Sequence, residues 1–187
     1  PLAPQIYAYG VTVGSDGMVY AADNTTLYRI NPKVDPATVE EYLPASVTAQ
    51  IEGEWAPRTI NFDFDHTIMY VGTWSEHVYA ISLDEDLNPI GKPRLFAKIP
   101  EDVSWMDGLG VDYCGNLYMP NYENSATFRI TPDGIVSLYL QQNSATYGHG
   151  LEFGSGLGNW KSDAIYMPQP YNSNMVVEVV VGAPRRP

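Results

Sequence analysis

The sequence predicts an all-β fold, a β-propeller with four blades in this chain. The first observation is a repeated pattern: Gly10-Val-Thr-Val-Gly-Ser-Asp-Gly-Met-Val-Tyr, Thr59-Ile-Asn-Phe-Asp-Phe-Asp-His-Thr-Ile-Met-Tyr, Gly108-Leu-Gly-Val-Asp-Tyr-Cys-Gly-Asn-Leu-Tyr-Met, and Gly150-Leu-Glu-Phe-Gly followed by Asp163-Ala-Ile-Tyr-Met. The second is its spacing of roughly 40–50 residues, the length of a four-stranded blade. The third is that the apolar runs are short and end in Gly, Asn, Asp or Pro, the mark of strands rather than helices. A single unit of this size cannot bury both faces of its sheet, so the units must pack on one another. Their innermost strands then share an axis, and loops entering those strands converge there.

Each blade follows from its turn chemistry. The first, about 10–43, turns at Gly14-Ser-Asp-Gly17 and Asp23-Asn-Thr-Thr26, where Asp-Gly and Asn supply positive-φ positions. The second, about 58–98, turns at Asp63-Phe-Asp-His66 and Thr73-Trp-Ser-Glu76. Alternation of Asp63 and Asp65 with Phe62 and Phe64 reads as a strand end entering a hairpin, not a catalytic carboxylate pair. The third, about 107–140, turns at Tyr113-Cys-Gly115 and Thr131-Pro-Asp-Gly134, and the fourth, about 149–182, has three strands without an outermost one. Residues 44–57 form a long connection in which Glu52, Glu54 and Trp55 either fold over the axis or serve as padding.

Composition narrows the function classes. The 187-residue chain has a formal net charge of −12 and ten Lys and Arg, which disfavours nucleic acid and anionic membranes as partners. No apolar stretch approaches membrane-spanning length, and residues 1–20 lack the arrangement of a secretion signal, so a soluble chain is expected with its compartment open. Cys114 is the single cysteine, placed in a turn as a surface thiol. The chain begins at Pro1 and residues 1–9 are too short to complete the fourth blade. A missing N-terminal segment or a partner chain is therefore expected to complete the propeller. A four-blade ring closed by residues 3–8 is the alternative.

Met106-Asp-Gly-Leu-Gly-Val-Asp-Tyr-Cys-Gly-Asn-Leu-Tyr-Met-Pro-Asn-Tyr122, with Phe128-Arg-Ile-Thr-Pro-Asp-Gly134, resembles the signature of the senescence marker protein/gluconolactonase/luciferin-regenerating enzyme family. That signature reads approximately PDGhxhDxxGNLYVAxY…VxRhxPDG. The resemblance implies a six-bladed propeller of which this chain supplies the last four blades. It also implies a metal-dependent hydrolase of lactone or ester bonds acting on a small molecule. A divalent cation, calcium rather than zinc, would sit on the axis, held by a Glu, an Asn and the Asp of the Asp-Gly motif.

Asp107 matches that Asp and is the candidate metal ligand and catalytic base, with turn capping before Gly108 as its structural alternative. The family's Asn aligns with Arg58, whose guanidinium repels a dication but grips carboxylates. Tyr9 aligns with a substrate-side Asn, and the Glu position would lie upstream of Pro1. If the alignment slips, Asn61 matters instead. His149, between Gly148 and Gly150 at the fourth entrance, reads as a base or ligand, or as a polar residue lining a channel. Trp105, next to the Asp107 entrance, offers a surface for a ring-bearing substrate or a wedge between blades. The alternative to an enzyme is a non-catalytic propeller that binds or assembles after losing its metal ligands.

Overall fold

The computed structural model describes residues 6–51, 53–100, 105–142, 148–169 and 175–184. Four antiparallel sheets follow one another along the chain, each ordered from inner to outer strand. The first contains β1 (Gly10–Val13), β2 (Val19–Ala22), β3 (Leu27–Asn31) and β4 (Thr38–Glu41). After a short helix, α1 (Ala45–Thr48), comes the second: β5 (Pro57–Phe62), β6 (Ile68–Thr73), β7 (His77–Leu83) and β8 (Pro89–Lys98). The third contains β9 (Gly110–Val111), β10 (Leu117–Pro120), β11 (Ala126–Ile130) and β12 (Val136–Gln141). The fourth contains β13 (Glu152–Phe153), β14 (Ala164–Gln169) and β15 (Met175–Val180). These are four blades of a β-propeller. Among the described residues no helix is long and apolar enough to cross a membrane.

One device closes several hairpins: an aspartate whose Oδ1 accepts two backbone N–H groups that the turn would otherwise leave unpaired. Asp23 takes Thr25 and Thr26, Asp63 takes Thr67 and Ile68, and Asp112 takes Cys114 and Asn116. The positive φ that each tight turn needs falls on Gly17, Asn24, His66 and Gly115. Asp63 is thus a turn residue, and Cys114 is exposed.

Three cores join the blades in series. Tyr20, Leu27, Phe62, Met69 and Tyr79 fill the space between the first and second, with Tyr20 edge-on to Phe62 at 5.1 Å. Tyr70, Val78, Met106, Leu117 and Met119 lie between the second and third, and Tyr118, Leu151, Phe153 and Met167 between the third and fourth. Burial follows from this order. β6 is buried almost throughout because both faces meet a neighbour, whereas β1 and β15 alternate because one face packs. Val11 and Val13 on the outer face of the first blade are each 59% exposed, and Val176 and Val180 on the fourth are 52% exposed.

The connection at 44–57 differs in part from the loop expected there. It holds α1, and Trp55 turns into the first core against Tyr79 at 5.6 Å. Glu54 is exposed, and Glu52 lies outside the described residues.

Candidate axial site

The inner strands approach closely at the hub, and glycine permits it. A Cβ on Gly10 would stand 2.6 Å from the Arg58 carbonyl oxygen, and one on Gly108 would stand 2.7 Å from Gly150 C. Asn61 ties three inner strands together: its Nδ2 donates to the Leu109 carbonyl at 2.9 Å, and its Oδ1 accepts from Thr12 Oγ1 at 3.4 Å. That places Asn61 in the frame of the hub rather than among its reactive groups.

At the entrance end of the inner strands, three ionisable side chains meet. The β5–β6 pairing skips register between Pro57 and Thr59, a bulge at Arg58. Arg58 is 6% exposed, and its Nε donates to Asp107 Oδ1. Asp107 precedes β9 and is fixed from both sides: its N–H donates to the Pro120 carbonyl, and its own carbonyl accepts from Gly150 N at 2.7 Å. Nδ1 of His149 stands 2.9 Å from Asp107 Oδ2, an ion-pair distance. The carboxylate therefore has a guanidinium on one oxygen and an imidazole on the other.

Aromatic rings enclose this row. The Arg58 guanidinium carbon lies 4.5 Å from the Tyr9 ring centre, 4.2 Å from Trp74 and 5.8 Å from Trp105. Trp74 and Trp105 are 4.6 Å apart, Trp105 stacks on Tyr122 at 5.0 Å, and Tyr122 meets the His149 ring at 4.8 Å. Backbone bonds hold the wall: Trp105 N–H donates to the Trp74 carbonyl, and Tyr122 N–H to the Trp105 carbonyl, both at 3.0 Å. Arg58 Nη1 is buried with no hydrogen-bond acceptor among the described residues. Such a donor calls for a water or ligand oxygen.

All five candidate residues, Asp107, His149, Arg58, Tyr9 and Trp105, thus fall within one cluster. Trp74 and Tyr122 belong to it as well, although sequence reasoning left them in blade-edge loops or out of account. The signal was positional: Trp74 directly follows the second strand of its blade and Tyr122 lies two residues past its own, so antiparallel pairing returns both to the entrance end.

A dication at the hub is a different matter. Among the described residues no group of three His, Cys, Asp or Glu side chains is placed to hold a metal. Asp107 is the candidate ligand, and Arg58 holds its Oδ1. A guanidinium against that oxygen opposes a second positive charge there. As they stand, these residues do not fit the ion.

Comparison with known proteins agrees with the fold. A family model described as the SMP-30/Gluconolactonase/LRE-like region matches residues 8–141. No match is found among curated proteins. Among solved structures, the chain is similar to regucalcin from Agrobacterium tumefaciens str. C58, a calcium-binding protein, at 15% identity and TM-score 0.68, covering 94% of this chain and 61% of that one. It is similar to a gluconolactonase from Xanthomonas campestris at 16% identity and TM-score 0.62, with 84% and 52% covered. Virginiamycin B lyase from Staphylococcus aureus gives 19% identity and TM-score 0.60, with 96% and 57% covered. The chain therefore spans 52–61% of the length of these structures, and what it shares with them is the fold.

Proposed function

Because the chain belongs to the SMP-30/gluconolactonase/LRE-like family, we propose that it is a hydrolase of lactone or ester bonds in small molecules, acting at the hub. The observation that carries this reading is the carboxylate of Asp107 held between His149 and Arg58 inside an aromatic wall. Each residue has a task. Asp107 orients the imidazole, and a carboxylate at Nδ1 favours the tautomer with its lone pair on Nε2. A water then adds to the substrate carbonyl carbon while its proton passes to His149. The tetrahedral oxyanion faces Arg58, whose buried Nη1 supplies a fixed donor. Collapse breaks the C–O bond, the leaving alkoxide takes the proton back, and a hydroxy acid or an acid and alcohol depart. Trp105 and Tyr122 offer flat apolar surface for the substrate ring.

Calcium, which family resemblance implies, supplies no step here, because Arg58 stands at the carboxylate oxygen it would use. We also propose that the complete ring has six blades. A further segment or a partner chain would cover the outer faces of the first and fourth blades, where Val11, Val13, Val176 and Val180 are exposed.

The test is a panel of γ- and δ-lactones and aryl esters, assayed with chelator present. Turnover by the wild type, falling about 100-fold or more in His149→Ala and in Asp107→Asn, supports the reading. Turnover that both variants retain contradicts it. One observation favours a second reading: Arg58 and Asp107 neutralise each other, which suits a site that binds without reacting. Ligand binding with no turnover across the panel would favour that non-catalytic module.

A further inference from the structure

We infer that Arg58 is the built-in cation of this hub, a side chain that takes the electrostatic place of a bound metal and excludes one. Three observations carry the inference. The guanidinium makes the ion pair with Asp107 from within, with both side chains 7% exposed. Its plane lies among Tyr9, Trp74 and Trp105, the arrangement in which aromatic quadrupoles hold a cation. Its position is set by the main chain, since the bulge at 57–59 pins the backbone and the Arg58 carbonyl oxygen lies against Gly10. Unlike an exchangeable ion, this charge is covalently part of the chain, so it cannot leave and needs no loading.

The consequence is an electrostatic attraction for cations that the guanidinium suppresses. With the guanidinium gone, Asp107 keeps its place through the Pro120 and Gly150 backbone bonds and presents a buried carboxylate with no cation on Oδ1. A divalent cation would then be attracted rather than repelled. This deepens the hydrolase reading by naming the carrier of its positive charge. Its test reads cation binding and not turnover, so either can fail alone.

Calcium and zinc binding to the full chain are measured by calorimetry and by thermal shift, for wild type, Arg58→Gln, Asp107→Asn and the double variant. Circular dichroism verifies the fold of each. The wild type should bind no more of either ion than Asp107→Asn does. Arg58→Gln should bind at least about tenfold more tightly than wild type, and the double variant should lose that gain. Wild-type binding that Asp107→Asn abolishes would overturn the inference, as would a folded Arg58→Gln with no gain. If Arg58→Gln does not fold, wild type against Asp107→Asn still decides.

Discussion

Replacing Arg58 with Met tests whether the hub is held electrostatically. Methionine keeps an unbranched chain between Tyr9 and Trp74 but removes the charge. Asp107, 7% exposed at its side chain, would then face an apolar sulfur on Oδ1. Stripping one partner from a buried ion pair costs about 3–5 kcal/mol, because the remaining charge stays desolvated. Loss of ring–cation attraction adds about 0.5–2 kcal/mol. The His149 imidazole stays 2.9 Å from Oδ2 and keeps a polar neighbour on the carboxylate, so the lower half of the combined range is expected. Asp107→Asn in the Arg58→Met background removes the stranded charge, and the pair should recover about 2–3 kcal/mol of the sum of single effects. Urea unfolding followed by tryptophan fluorescence suits the purpose, since Trp74 and Trp105 lie against the site. A loss below about 1 kcal/mol for Arg58→Met, or single effects that add to within about 0.5 kcal/mol, would show that the ion pair does not hold the hub.

Other outcomes are expected elsewhere. Gly108→Ala places a methyl group 2.7 Å from Gly150 C and Leu151 N, so it should lose about 1–3 kcal/mol in the same unfolding assay; wild-type stability would show that the inner strands do not meet there. At Asp16, burial raises the carboxyl pKa, but bonds from Met18 N, Arg29 and Tyr20 outweigh it and leave the value below the ordinary 3.8. That stabilisation is fully present above 3.8 and is lost as pH falls through the lower folded value, so the stability gap between wild type and Asp16→Asn should close over that acid window; a gap that persists below it would contradict the assignment. Trp74→Leu should weaken the hub by about 1 kcal/mol beyond the area lost, a difference that Arg58→Met should abolish in a double-mutant cycle. The 187-residue chain should self-associate through its outer blade faces, and Val11→Lys with Val13→Lys should reduce this in light scattering; a monomer at all concentrations would oppose it.

The blades were legible because their turns are written locally. Asp23, Asp63 and Asp112 each hold two N–H groups within five residues, so the hairpins need no distant partner. The meeting of Asp107 and His149 was readable one level up, from their shared place at strand entrances. What escaped was set between blades. The approach of Arg58 to Asp107, 49 residues away, follows from their shared place at strand entrances, but the register bulge that sets it carries no distinctive residue type. Trp74 read as a hairpin-turn residue and Tyr122 only as the end of the family motif, until antiparallel pairing returned both to the hub. A single helical turn such as α1 leaves no periodicity to read.

A crystal structure grown in millimolar calcium decides whether the guanidinium or an ion occupies the Asp107 carboxylate. The expected arrangement is Arg58 Nε on Asp107 Oδ1, the guanidinium between Tyr9 and Trp74, and no ion at the carboxylate. Calcium about 2.3–2.6 Å from an Asp107 oxygen, with Arg58 turned away, would contradict it.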